Sequence, residues 1–199
     1  VYPEMVHHAV EATRNSKVKV ASVAGAFPSG LSTIEARTAD ISDAVKRGAD
    51  EIDIVLNRSA FLSGDEQRAF EEIVASKDAC GEAHLKVILE VGELGSYDKI
   101  RQASMLAMAA GADFIKTSTG KIPQASSLPR VLCMAEAVRD FAYQTNISVG
   151  IKAAGGIRTA KQAWHYLVVI GETLGSEWLN PEMFRIGASG LLNDVLLQL

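Results

Sequence analysis

The sequence predicts an α/β fold built on a parallel sheet, in the form of a (β/α)8 TIM barrel that is incomplete in this chain. Two observations carry that reading. Short Val- and Ile-rich runs alternate with amphipathic helical stretches from one end to the other, the pattern of βα units. Charged and polar residues then gather at the C-terminal ends of several different strands, where barrel enzymes assemble their sites. An open doubly wound sheet is the competing architecture. However, no G-x-G-x-x-G follows the first strand and no Walker A pattern is present.

The predicted strands are residues 17–25 (KVKVASVAG), 51–57 (EIDIVLN), 85–91 (LKVILEV), 114–118 (FIKTS), 148–152 (SVGIK) and 184–187 (FRIG). Each is short and bounded by Gly, Asp or Ser, as buried parallel strands are. Helical spacing of apolar residues predicts helices over 34–47, 65–79, 97–110, 127–143 and 160–174. Gly-Ala-Asp occurs at Gly48-Ala49-Asp50 and again at Gly111-Ala112-Asp113. It marks a helix C-cap that turns straight into a strand, at the same point of a repeated αβ cycle. Six strands are visible, whereas a complete barrel takes about 250 residues. The first strand and most of the second are therefore expected before residue 1, with Val1-Tyr2-Pro3 as the tail of one. Residues 1–199 read as one partial catalytic domain.

Composition bounds the function. With 199 residues, 48% hydrophobic and 22% charged, and a net charge of −4, the chain is neither disordered nor suited to a broad nucleic-acid surface. No apolar run approaches the roughly 20 residues of a membrane helix, and no signal peptide is visible. Cys80 and Cys133 are too few for a disulfide framework and read as free thiols in a reducing, cytoplasmic setting. His7, His8, His84 and His165 show no metal-ligand spacing. Trp164, Trp178, Met105 and Met108 read as packing residues.

Three predicted strands after the first contain a lysine, which is costly to bury as a cation. Lys86 lies early in its strand and reads as one half of a structural ion pair. Lys116 and Lys152 lie late in theirs, just before Thr117-Ser118-Thr119-Gly120 and Ala153-Ala154-Gly155-Gly156. If the two are close, each disfavours the other's charge, and a neutral amine is what a Schiff-base nucleophile requires. The residues alone leave open which of the two is the nucleophile. Asp53, between Ile52 and Ile54, faces the opposite side from both. It reads as a carboxylate paired with Lys86 or Lys152, or as a proton shuttle beside an amine. Gly155-Gly156 with Arg158, and Gly187-Ala188-Ser189-Gly190 opening the last helix, form two Gly-rich turns suited to a phosphate.

At this point the motifs resemble a known family. Residues 112–121 (ADFIKTSTGK), 150–158 (GIKAAGGIR), 51–55 (EIDIV) and 184–189 (FRIGAS) are similar, in order and spacing, to the deoxyribose-phosphate aldolases. The resemblance spans essentially the whole chain. It implies a class I, metal-independent aldolase without a cofactor, which cleaves 2-deoxy-D-ribose 5-phosphate reversibly to acetaldehyde and D-glyceraldehyde 3-phosphate. It assigns Lys116 as the Schiff-base nucleophile, Lys152 as the neighbour that depresses its pKa, and Asp53 with water as the proton relay. Thr119 and Lys121 would hold the substrate, while Gly155, Gly156, Gly187, Ser189 and Gly190 would receive the phosphate. The partner implied is a small phosphosugar, not a nucleic acid or a membrane, with a homo-oligomer left open.

The chain departs from the family at several points. Ala153 stands where Pro is usual, Gly190 where Ser or Thr is usual, and Val91 where Thr is usual. An N-terminal helix and strands, and a C-terminal tail ending in Tyr, are not present. Turnover is expected of the full-length parent rather than of these 199 residues alone. Two alternatives accompany this reading: another Schiff-base barrel enzyme acting on a phosphorylated aldehyde or ketone, and an inactive phosphosugar-binding remnant.

Overall fold

Residues 1–123 and 126–198 are described by a computed structural model, in which the chain divides into two compact units. The first comprises Val1–Ile88 with Ala109–Asp113, and the second comprises Leu89–Met108 with Phe114–Leu199.

The first unit carries β1 (Ala21–Val23), β2 (Glu51–Val55) and β3 (His84–Ile88), parallel and in chain order. Parallel neighbours need crossovers. Helix α2 (Ile34–Lys46) links β1 to β2, and α3 (Arg58–Ser63) with α4 (Glu66–Cys80) links β2 to β3, while α1 (Val6–Thr13) precedes them. Alternation along the strands sends Ile52, Ile54, Leu85 and Val87 to one face. They are buried there, as are Ile41 and Ala44 of α2 and Ala69 and Ile73 of α4. Side-chain caps begin both long helices: Thr33 accepts from the Ala36 N–H and Asp65 from the Arg68 N–H. Behind the sheet, buried Arg37 of α2 pairs with Glu72 of α4 and donates to the Val55 carbonyl at 3.2 Å, and Asn57 also donates to Glu72 at 3.1 Å. Helices and strand are thereby fixed by one polar network.

The repeated Gly-Ala-Asp does more than end a helix. Gly48 and Gly111 take the positive φ values of 103° and 93° that the turn requires. The aspartate that follows then reaches across to the preceding strand. Asp50 Oδ2 accepts the Val20 N–H at 2.8 Å, and Asp113 Oδ2 accepts the Leu85 N–H at 2.7 Å together with the Lys77 ammonium at 2.5 Å. Each repeat thus satisfies an amide at the start of the strand beside it, Val20 just before β1 and Leu85 second in β3.

The second unit carries β4 (Phe114–Lys116), β5 (Gly150–Ala154) and β6 (Phe184–Gly187), again parallel and in chain order. Its helices are α5 (Tyr97–Ala109, all but the last residue), α6 (Leu128–Thr145), α7 (Ala160–Leu174) and α8 (Leu191–Leu196). Thr159 and Gln162 form a capping box at the start of α7. Asn146 in the left-handed conformation ends α6. The six strands with their alternating helices are six repeats of a partial (β/α) barrel.

The expected strands are all present, the sixth with its predicted bounds and the other five with shifted ends. Residues 17–19 are exposed and lie outside β1. Val1 instead flanks β1, its ammonium donating to the Ala21 carbonyl at 2.7 Å. The third strand stops at Ile88 because Glu90 turns left-handed, with φ 53°. The fifth strand runs two residues further than predicted because Ala153 and Ala154 pair with Ile186 and Gly187. Helices α1 and α3 are too short to show a period. Trp178 packs as expected and donates to the Val149 carbonyl at 3.2 Å, but Trp164 is 64% exposed on α7 rather than packed.

The aspartate clamps predict a stability cost. Asp50→Ala and Asp113→Ala should each destabilise the protein by about 1–2 kcal/mol, measured by denaturant unfolding. Asn, which retains one acceptor oxygen, should recover much of the loss.

Candidate active site

In the second unit the strand register sets out three rows on one face. Phe114 lies opposite Gly150, Lys116 opposite Lys152 and Lys152 opposite Arg185, and Ala154 opposite Gly187. The alternate positions Ile115, Ile151 and Ala153 are fully buried on the other face. Parallel neighbours in register stand about 4.8 Å apart with their side chains on the same side, so the two lysines of the sequence argument rise from adjacent strands.

Glycines shape the floor and the wall. A Cβ at Gly150 would collide with the Phe114 ring, so only glycine lets that ring lie across β5. The Arg185 guanidinium sits over the same ring, 5.1 Å from its centroid, and donates to the Pro181 carbonyl at 2.6 Å. That arginine is thereby anchored at the floor. A Cβ at Gly187 would stand 2.8 Å from Ala154 Cβ and 3.4 Å from Lys152 Cε, so this glycine leaves room for the Lys152 side chain.

Above these rows opens a cavity of about 530 Å³ lined by Lys116, Lys152, Thr119 and Lys121. The Gly155-Gly156 turn with Arg158, and the Gly187–Gly190 turn that includes Ser189, line it too. Lys116 is 7% exposed, while Ser189, Gly190 and Lys121 are exposed. Gly155 and Gly156 both take positive φ, 97° and 85°, which orients this turn as a side chain-bearing residue would not. Nothing lies within 4 Å of a Cβ at Gly156 or Gly190. Nine of the ten sequence-predicted site residues therefore line one cavity.

The end of β4 is held by polar bonds. Thr117 and Ser118 are fully buried, and both hydroxyls donate to the Ala154 carbonyl, at 2.8 and 2.7 Å. The Ala154 N–H donates back to Thr117 Oγ1 at 2.8 Å. The polar run after Lys116 is thus the cross-tie that stiffens its strand. Thr119 and the Lys121 N–H close the next turn at 3.1 Å. Glu90, which sequence reasoning passed over as the end of an apolar strand, is 1% exposed and bound to Thr119. A carboxylate closing the run LKVILEV was the signal available.

Asp53, the tenth residue, belongs to the first unit. It is 2% exposed, and its Oδ1 accepts from the Lys86 ammonium at 3.0 Å, which also lies 2.6 Å from Glu51 Oε2. The expected pairing of Lys86 with neighbouring-strand carboxylates is present, since Asp53 and Lys86 are in register. Two carboxylates enclose one buried ammonium, an arrangement that leaves no buried charge uncompensated on the lysine side. Both cysteines are free; burial pushes the Cys80 thiol up to about 12, which keeps it a thiol rather than a thiolate.

Comparison with known proteins gives a consistent set of similarities. Residues 1–193 match the family described as DeoC/LacD family aldolase. The chain is 48% identical to the deoxyribose-phosphate aldolase of Mus musculus over 201 aligned positions, which cover all of this chain and 63% of that protein. Among solved structures, the aldolase QR15 superposes with a TM-score of 0.81 at 30% identity, covering 100% of this chain and 80% of QR15. The tetrameric deoxyribose phosphate aldolase of Aeropyrum pernix shares the fold, with a TM-score of 0.75 at 23% identity over 99% of this chain and 74% of that one. The chain thus spans less than two thirds of the length of the mouse relative.

The two glycines of the last turn should respond differently to a methyl group. Gly187→Ala should cost about 1–3 kcal/mol through overpacking against Ala154 and Lys152. Gly190→Ala, which meets open space, should stay within about 0.5 kcal/mol of the unsubstituted protein. Denaturant unfolding of both variants reads the difference.

Proposed function

We propose that this chain, which belongs to the DeoC/LacD family of aldolases, carries the reaction centre of a class I deoxyribose-phosphate aldolase. The observation that supports this most directly is the in-register pair of Lys116 and Lys152 in one cavity. In-register neighbours on adjacent parallel strands send their side chains to the same side, and like charges placed there disfavour one another. The Lys152 cation therefore opposes a second charge on Lys116, which leaves that amine with its lone pair. Lys116 is the more buried of the two, and the family assigns it the nucleophilic role.

In the proposed reaction the Lys116 amine attacks the C1 aldehyde carbon of open-chain 2-deoxyribose 5-phosphate. Loss of water from the carbinolamine gives an iminium. Removal of the C3 hydroxyl proton lets the C2–C3 bond break, and its electron pair passes into the iminium to form an enamine. Glyceraldehyde 3-phosphate leaves with the new carbonyl at the former C3. Protonation of the enamine at C2 and hydrolysis then release acetaldehyde and return the amine. Asp53 with water keeps the role of proton relay in this proposal, as a buried carboxylate whose Oδ1 accepts from the Lys86 ammonium.

The glycine turns suit the phosphate end. The Gly155-Gly156 turn, the backbone of Gly187–Gly190, the Ser189 hydroxyl and Arg158 line the same cavity as Thr119 and Lys121. Gly190 in place of a hydroxyl residue leaves backbone donors there and removes one side-chain donor. Residues 1–199 are read as a partial catalytic domain of a cytoplasmic, catabolic enzyme, in keeping with its free thiols. Assembly into a homo-oligomer is part of the same proposal.

Incubation with acetaldehyde and borohydride should add a single reduced ethyl group to the protein, mapped to Lys116 by mass spectrometry and absent from Lys116→Ala. Lys152→Leu should slow adduct formation by about tenfold or more. Labelling at Lys152 in place of Lys116, or no labelling of folded protein, would overturn the reading.

A further inference from the structure

Glu90 is the buried carboxylate that this reaction scheme leaves without a task. It does not line the cavity, yet both its oxygens are committed to a residue that does. The Thr119 N–H points between them at 3.2 and 3.3 Å, and the Thr119 hydroxyl stands 2.5 Å from Oε2. Glu90 itself holds a left-handed backbone, with φ 53°, uncommon for a residue with a side chain and costly unless its surroundings enforce it. They do so here on both sides. The Leu89 N–H donates to the Lys116 carbonyl and the Val91 N–H to the Thr117 carbonyl, each at 2.9 Å. The left-handed turn lies between two backbone ties to the strand that bears Lys116, and it aims the carboxylate at the loop after that strand.

The hydrogen-bond inventory gives this clamp a chemical consequence. A carboxylate accepts and does not donate, so the single proton of the Thr119 hydroxyl goes to Glu90. One lone pair of Thr119 Oγ1 accepts the Lys121 N–H at 3.1 Å. What Thr119 retains for the cavity is a lone pair and no proton.

We propose that Glu90 is a positioning residue for substrate recognition: by taking the Thr119 hydroxyl proton it makes Thr119 an acceptor only, which selects substrates with a free hydroxyl between the reacting aldehyde and the phosphate. This rests on the aldolase reading above and adds to it a residue that acts through Thr119. A carbonyl or ether oxygen at that position would meet the Thr119 lone pair without a proton between them. A free hydroxyl donates into it.

The test compares two trapping reactions on the same protein. Acetaldehyde carries no hydroxyl to donate, so its borohydride adduct reports Lys116 alone, whereas 2-deoxyribose 5-phosphate reports Lys116 and the hydroxyl contact together. Glu90→Gln can donate from its amide to Thr119 and so reverse the hydroxyl's direction. It should raise the half-saturating concentration of the phosphosugar about tenfold, the equivalent of one hydrogen bond to a charged group. For acetaldehyde the shift should be less than about threefold. Thr119→Val should reproduce this split, Thr119→Ser should recover most of the loss, and Glu90→Gln added to Thr119→Val should have no further effect. Equal shifts for both aldehydes, additive effects of the two substitutions, or an unshifted phosphosugar value in Thr119→Val would overturn the proposal; the Thr119 variants decide it even if Glu90→Gln does not fold. Absence of both adducts from the unsubstituted protein would instead sink the aldolase reading itself, and this inference with it.

Discussion

The register between β4 and β5 is the constraint on which the candidate site depends. A one-residue slip in a parallel pair moves a side chain to the other face of the sheet. It would send either Lys116 or Lys152 in among the helices and bring an isoleucine into the cavity. The molecule guards against that slip twice. Isoleucines and alanine at the alternate positions are fully buried, so the apolar face fixes the phase. At the end of the pair, the reciprocal bonds between Thr117 Oγ1 and the Ala154 backbone, with the Ser118 hydroxyl on the same carbonyl, form only in one register.

Both units bury lysine ammonium groups on β-strands, and they handle the cost in opposite ways. In the first unit Lys86 lies between two carboxylates, Glu51 and Asp53, all three nearly inaccessible to water. Taking the lysine away from such a cluster would leave two buried carboxylates without their shared partner, which is where its energetic weight lies. In the second unit the row that holds Lys116 and Lys152 continues to Arg185 on the next strand. The Phe114 ring and the Pro181 carbonyl take up the guanidinium, and the lysines meet an open cavity rather than a sealed core. The same βα unit, repeated with different residues in its inward rows, yields a lysine enclosed by carboxylates in one place and two lysines facing a cavity in the other.

How far the sequence could be read followed from the range of the interactions involved. Strand and helix periodicity are local, and the six strands and five long helices were legible; helix α7 has the predicted bounds, 160–174. The shifted ends have non-local causes. Ala153 and Ala154 extend β5 because β6 lies beside them, and Glu90 ends β3 because two backbone ties to the Lys116 strand hold it left-handed. Lys116, Lys152 and the glycine turns were legible because a cation in an apolar strand and a paired glycine are rare enough to be read one chain position at a time. The functions of Gly150 and Gly187 were not. A glycine required by the ring or the alkyl chain of a neighbouring strand looks, in sequence, like any other glycine.

Glu90 shows the same limit in its sharpest form. Within LKVILEV it reads as the polar end of a strand, and nothing local marks it as more than a boundary. Its significance comes from where a left-handed turn points its carboxylate, and the turn exists only because the flanking amides are bound to another strand. A hydroxyl at a cavity wall offers a ligand either a proton or a lone pair, and a serine or threonine left to itself supplies whichever is needed. By occupying the proton from behind, a residue out of reach of the ligand decides which of the two the ligand meets. Polarity at the wall is then set by a residue one strand away, and the backbone strain at Glu90 is the structural sign of that arrangement.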